Sequence, residues 1–352
     1  MSNEIGFLSF SVPTEPYDVV SHEQNISLLY TSIGKVQKRL FVGIQNLLKL
    51  NLDLIQKVLI LYYNVTILKN PQLEVILIPM DDPDSFLEKE ADIQIVFDSY
   101  DEELGNENLL EINDKRKENN FKPLEYFECE EQKIPLSFST SSLSDWCSTD
   151  DEFDLNITEN QKKKKKNNPT FSGVVLGGTF DRLHSGHRAL LTVAALSATK
   201  KLIVGVTDGK KLLGKKSHSI LIESYKCRSK RVEQFIKYIN PFLNLEIVKL
   251  SDPFGPSITA KDISAIVVSA ETRRGADRVN ELRKQRGLME LEVVVIDYVK
   301  SLVYIDSNDF KLSSSSLRHL DWLQMQKTLL SKKKKISNPK HENYDRRTKF
   351  YK

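Results

Sequence analysis

Val174-Val175-Leu176-Gly177-Gly178-Thr179-Phe180-Asp181-Arg182-Leu183-His184-Ser185-Gly186-His187 is an apolar run that stops at two glycines, crosses a polar turn and leads into a helical stretch, His187 to Ser197. Gly177 and Gly178 let the chain turn sharply and let phosphate groups approach the backbone. The start of the following helix offers unpaired N–H groups and the positive end of the helix dipole, worth about 0.3–2 kcal/mol to an anion placed there. His184 and His187, three residues apart, fall on one face of the turn. Two imidazoles and the Thr179 hydroxyl then converge on a phosphate-binding helix end, an arrangement suited to charge developing on a transferred phosphoryl group. A zinc site is the competing reading of the paired histidines, but no cysteine or carboxylate at nearby spacing completes a ligand set.

Working outward, Leu202–Val206, Leu245–Leu250, Ala265–Ser269 and Leu291–Ile296 read as further strands. Helical stretches lie between most of them, at His187–Ser197, Glu223–Tyr238 and Ala276–Arg286. Alternating strands and helices predict a doubly wound, Rossmann-like parallel α/β sheet over residues 171–325, with ligands at the carboxyl ends of the strands. A second anion cradle is predicted late in that region. Lys311-Leu312-Ser313-Ser314-Ser315-Ser316-Leu317-Arg318 places hydroxyls and an arginine at a helix start. Gly209-Lys210-Lys211-Leu212-Leu213-Gly214-Lys215-Lys216 approaches a Walker A loop. Its last position is lysine where a Mg²⁺-binding hydroxyl is required, so it reads as a substrate-lysine loop, with Lys215 and Lys216 both open as the contact.

The first half is less explicit. Residues 1–128 read as a poorly defined α/β domain, with strands at Val58–Val65, Leu73–Ile78 and Ile93–Phe97 and a helix within Gln24–Leu50. Residues 129–170 carry acidic residues, serines and the run Lys162–Lys166. They read as a disordered linker, too poor in apolar side chains to offset the entropy of ordering, about 1–2 kcal/mol per residue. Residues 326–352 read as a basic, mobile tail, and no internal repeat is visible.

Composition excludes several classes. The 51 basic and 48 acidic residues leave a net charge of +3, without the concentrated basic footprint of a nucleic-acid binder. No apolar run reaches the roughly 18 residues of a membrane span, and no secretory signal is evident. The three cysteines, Cys129, Cys147 and Cys227, are widely spaced and support neither a disulfide framework nor a zinc site. A cytoplasmic protein is expected, with the lysine runs open to reading as a nuclear address.

The Gly-Thr-Phe-Asp and His-x-Gly-His elements, with the serine-rich late segment, resemble the nucleotidyltransferase superfamily. Further segments are similar to the eukaryotic type of phosphopantetheine adenylyltransferase: Gly205-Val206-Thr207-Asp208-Gly209, Asp252-Pro253-Phe254-Gly255-Pro256, Val268-Ser269-Ala270-Glu271-Thr272 and Val279-Asn280-x-x-Arg283. The resemblance implies transfer of the adenylyl group of ATP to 4′-phosphopantetheine, with Mg²⁺ accompanying ATP and no metal site of the protein's own. It implies that His187, His184, Thr179 and Lys215 are catalytic. Gly177, Gly178, Gly186, Ser314, Ser315, Arg318 and Arg228 would bind ATP, and Thr179, Lys215, Lys216 and Arg274 would bind the acceptor. Other enzymes of coenzyme A synthesis, including a separate dephospho-coenzyme A kinase, are the implied partners. Two departures stand out: Phe254 replaces an expected tyrosine, and Ala276 replaces a glycine, restricting a backbone turn. A cytidylyltransferase acting on a phosphorylated alcohol is the rival within the superfamily, although its usual Arg-Thr-x-Gly-Ile-Ser signature is absent. A non-catalytic scaffold on a degenerate transferase fold is the rival of another class.

Overall fold

The structure is a computed structural model that describes residues 4–13, 19–98, 102–129, 170–296 and 313–337. The first half contains β1 (Ile5–Ser11), α1 (Val19–Ile33), β2 (Arg39–Gln45), α2 (Leu52–Lys69), β3 (Glu74–Pro79), α3 (Pro83–Lys89), β4 (Ile95–Asp98), α4 (Glu102–Glu118) and β5 (Glu125–Glu128). The second contains β6 (Phe171–Gly178), α5 (Ser185–Ser197), β7 (Ala198–Thr207), α6 (Lys210–Leu213), α7 (Tyr225–Ile239), β8 (Asn244–Leu250), β9 (Ala265–Ser269), α8 (Arg273–Gln285), β10 (Glu292–Ile296) and α9 (Ser314–Ser337). Each half forms a five-stranded parallel sheet, ordered β3-β2-β1-β4-β5 and β10-β9-β6-β7-β8. The doubly wound reading of the second half holds, and the first half is α/β as expected.

The two sheets have the same topology. Counted from its own first strand, each runs 3-2-1-4-5, and the agreement extends to side chains before the fifth strand. In the first half Asn113 Oδ1 accepts the Leu124 N–H at 2.7 Å, and Asn113 Nδ2 donates to the Leu124 carbonyl at 3.4 Å. In the second, Asn280 Oδ1 accepts the Leu291 N–H at 2.8 Å and Nδ2 donates to the Leu291 carbonyl at 2.9 Å. Three residues on, Arg116 and Arg283 are both buried, and both give their guanidinium to carbonyl oxygens. Four residues further, Asn120 (φ 59°) and Gly287 (φ 67°) take left-handed backbone to end the helix. The expected absence of a repeat is thus corrected: Asn-x-x-Arg recurs as a carbonyl clamp in two copies of one fold, while the sequences around it have diverged. Alanine at either Asn113 or Asn280 orphans a buried N–H and C=O. We expect each to cost about 1–3 kcal/mol, read as a similar fall in urea midpoint; loss from one site alone would break the equivalence.

Two expectations, at Val58–Val65 and at Ala276, need correction, and the helix within Gln24–Leu50 holds only as far as Ile33. Val58–Val65 is helix, the middle of α2. That helix is buried on nearly every side, so its sequence carries β-branched and aromatic residues with no helical period to read. Gln24–Leu50 holds the end of α1 and then β2. Ala276 sits inside α8, where alanine is a better helix former than glycine, so no turn is restricted there.

The supposed tail is helical from 326 to Ser337 within α9, and its remainder, 338–352, lies outside the described residues. The linker reading falls, for 130–169, outside the described residues too, as do Cys147, Lys162–Lys166, Lys311 and Leu312. Cys129 and Cys227 are free thiols. No helix among the described residues is long and apolar enough to cross a membrane.

One apolar core spans both halves. Helix α2 packs on α5, and Phe41 and Phe86 lie edge-on to Tyr238 of α7, with ring centroids 5.1 and 6.3 Å away. This packing fixes α5, the helix that carries the histidines.

Candidate active site

A cleft of about 680 Å³ opens at the carboxyl ends of β6, β7, β9 and β10. Gly177, Gly178, Thr179, His184, Gly186 and His187 line one side; Ser314, Ser315 and Arg318 line another. Glycine at 178 gives the Phe180 ring room: a Cβ there would sit 3.0 Å from it, a tight contact. That buried ring lies 5.3 Å from His187, centroid to centroid. Phe180 and Arg182 both have φ 49°, a left-handed conformation costing of order 1–3 kcal/mol at non-glycine residues. Such a loop keeps its shape only because its surroundings hold it.

His184 is the N-cap of α5 and His187 lies in its first turn, with the imidazoles stacked at 3.9 Å. Burial, followed by the charges of Arg188 and Lys216, pushes His187 down to about 3. A hydrogen bond to the Arg182 backbone opposes that shift. His187 is therefore neutral across the physiological range. Its Nδ1 is buried and has no hydrogen-bond partner among the described residues, a polar atom left open to a ligand.

Asp181 holds the loop to the rest of the site. Fully buried, its Oδ2 accepts from Arg318 Nη1 at 2.7 Å and Arg182 Nη1 at 2.9 Å, and its Oδ1 accepts the Glu223 N–H at 3.0 Å. Its carbonyl accepts from Ser314 Oγ at 2.8 Å. Residues 137 positions apart thereby face one cleft. Ser313 caps α9, its hydroxyl accepting the Ser316 N–H at 3.1 Å, which leaves Ser314 and Ser315 at the open helix start.

Three expected residues stand elsewhere. Arg228 is buried and spends its guanidinium on the carbonyls of Thr179, Thr207 and Glu223. It shapes the strand ends and is not available to phosphate, a correction to its expected role. Of the two lysines, Lys216 lines the cleft and Lys215 does not; partial desolvation and then the Arg318 charge lower the Lys216 pKa. Arg274 is exposed and outside the cleft lining, although Thr272 and Gly275 beside it are part of it. Asp181 was visible in the sequence only as one letter of the motif; its partners lie too far along the chain for spacing to reveal them. Ile67 of α2 also lines the cleft, a contribution from the first half that no motif announces.

Residues 175–320 match the cytidylyltransferase-like family. An uncharacterized protein of Schizosaccharomyces pombe is 40% identical over 163 residues, 46% of this chain and 51% of that protein. The phosphopantetheine adenylyltransferase of Saccharomyces cerevisiae is 39% identical over 165 residues, 47% of this chain and 53% of the relative. That of Methanopyrus kandleri is 40% identical over 150 residues, 42% of this chain and 89% of the relative. The matched stretch thus spans about half the length of the two fungal relatives and nearly all of the archaeal one.

Proposed function

The chain belongs to the phosphopantetheine adenylyltransferase family, and from that premise we propose that it joins the adenylyl group of ATP to 4′-phosphopantetheine, releasing dephospho-coenzyme A and pyrophosphate. The observation that carries the proposal is the Asp181–Arg318 pair, which turns two anion-binding helix starts, those of α5 and α9, onto one cleft.

In the proposed reaction an oxygen of the acceptor phosphate attacks the α-phosphorus of ATP while the bond to the bridging oxygen of pyrophosphate breaks. A phosphomonoester has its second pKa near ~6, so the nucleophile is already ionised at neutral pH and no general base is required. Catalysis then consists of positioning and charge stabilisation. His187 and His184 meet the charge developing at the α-phosphate. Thr179, held by the bond from Arg228 to its carbonyl, and Lys216 hold the phosphates of the reacting pair. Ser314 and Ser315 meet the β- and γ-phosphates at the start of α9, which Arg318 holds in place through Asp181 and the Ser217 carbonyl.

Mg²⁺ bound to the triphosphate would neutralise part of its charge. Among the described residues no group of three His, Cys, Asp or Glu side chains could hold a metal ion. The apolar part of the cleft, walled by Pro253, Phe254 and Val279, suits the uncharged arm of the acceptor.

The test is pyrophosphate release with Mg²⁺ across a matrix of nucleotides and acceptors. Release is expected with ATP and 4′-phosphopantetheine, with dephospho-coenzyme A as product and loss of the signal on chelation by EDTA. Release only with CTP and a phosphorylated alcohol would keep the site and overturn the substrates. Silence in every combination would favour a scaffold.

A further inference from the structure

The first half repeats the fold of the second. Where β6 runs into Gly177-Gly178-Thr179, β1 ends at Ser11 and is followed by Val12 and Pro13, and proline has no N–H to offer an anion. At the same corner Asn25 Nδ2 donates to the Ser11 carbonyl at 2.9 Å and to the Tyr62 hydroxyl at 3.1 Å, and His22 Nδ1 lies 3.0 Å from that hydroxyl. The polar groups there are turned on one another.

What this half offers instead lies on its outer face, against α5. Arg188 directly follows His187, and its N–H makes a helical bond to the His184 carbonyl at 3.0 Å. Its side chain is buried, and its Nη2 donates to Glu74 Oε1 at 3.0 Å, at the start of β3 in the other sheet. Arg188 Nε has no hydrogen-bond partner among the described residues, which leaves Glu74 as the charge that holds the guanidinium. The other oxygen of Glu74 takes Arg39 Nε and Nη2, both at 2.7 Å. Burial alone would raise the Glu74 pKa, but the Arg188 and Arg39 charges hold the carboxyl below its usual range, so it is an anion at neutral pH.

We propose that the first half of the chain completes the catalytic centre of the second, with Glu74 acting through Arg188 as a positioning residue for His187 and Ile67 forming part of the cleft wall. This rests on the transferase reading above. A buried cation that loses its paired carboxylate must either stay uncompensated or move toward water. Arg188 shares the helical turn of His187 and His184, so a shift of its buried side chain bears directly on the packing of that turn. A displacement of about 1 Å at a reacting centre can cost ~10²-fold in rate, so a link of this kind acts on turnover more than on binding.

The experiment uses the full chain with ¹³Cε1-labelled histidine, comparing wild type, E74Q, R39Q, R188M and E74Q/R188M. E74Q is isosteric and removes the charge together with one acceptor oxygen. It is expected to shift the imidazole signals of His187 and His184 and to lower kcat about tenfold per folded molecule, with KM for ATP within about twofold. R39Q breaks the other pair of the same carboxylate without touching α5, and should leave both readouts at wild-type values. In the R188M background E74Q should add no further loss.

Unmoved histidine signals in E74Q, or an equal kcat loss in the R188M background, would overturn the proposal. So would an E74Q variant that melts earlier yet keeps wild-type kcat. If wild type itself releases no pyrophosphate, the transferase reading fails, and the histidine signals alone decide the positioning claim. If E74Q cannot be purified folded, R188K tests the same link, because it keeps the charge and loses the forked reach; histidine signals that stay in place in R188K would also overturn the proposal.

Discussion

Replacing His187 by alanine is expected to lower turnover by roughly 10²–10³-fold, the usual loss for a donor aimed at charge that develops in the transition state. KM for ATP should change far less, because the remaining phosphate contacts, at the start of α9 and along the glycine loop, are made in the ground state as well. A variant with near-normal kcat would remove His187 from the mechanism.

The same side chain has a signature in stability. It takes up a proton at about 3 when folded, against 6.5 for an ordinary histidine. Between those values the unfolded chain binds a proton that the folded chain refuses, so stability falls as pH falls through that window. At 1.36 kcal/mol per unit the loss approaches about 5 kcal/mol at the acid end. His187→Ala should therefore unfold less steeply with acid than wild type, measured as the dependence of the urea midpoint on pH. Equal slopes in the two proteins would mean that His187 is not the neutral, buried imidazole described above. Activity and acid response thus test the role and the environment of His187 independently.

How much of this was legible in sequence depended on whether the signal was local. The strand-to-helix turn at 174–187 carries its own instructions: an apolar run, glycines where the backbone must be bare, and histidines at helical spacing. The five strands of the second half were readable for the same reason, each being a short apolar run between polar helices. α2 was misread because a helix buried on nearly every side has no polar face to mark its period. The repeat was missed because what persists between the halves is geometry: strand order and a clamp whose two residue types, Asn and Arg, are common on any helix. Arg228 was misassigned for a related reason. A cation near a phosphate motif reads as a ligand until the carbonyls it satisfies are brought to it by folding. Glu74 and Ile67 lie more than 100 residues from the histidine motif, and only the packing of α2 and β3 on α5 and α7 gives them a part in the site.

Asp181 is the position where stability and function are most closely joined, and Asp181→Asn is expected to cost about 3–5 kcal/mol, the usual loss when one partner of a buried ion pair is removed. The substitution keeps shape and one acceptor oxygen. It leaves the Arg318 guanidinium, 1% exposed, without the carboxylate it pairs with, while Arg182 retains Asp321 at 2.6 Å. Arg318 would still have the Ser217 carbonyl and the Ser315 hydroxyl, neutral acceptors that cannot balance its charge. Ser314 bonds to the backbone carbonyl of Asp181, so that contact survives only while the loop keeps its place. The loop has two left-handed non-glycine residues to hold and one anchor fewer with which to hold them. ATP affinity is therefore expected to fall along with stability, because the α9 cradle is no longer fixed opposite His187. Ser314→Ala removes one neutral hydrogen bond and should cost only about 1 kcal/mol. Urea denaturation and calorimetric titration with a non-hydrolysable ATP analogue measure both effects. If Asp181→Asn unfolded within 1 kcal/mol of wild type and bound the analogue normally, the two anion-binding motifs would be held together by something other than this carboxylate.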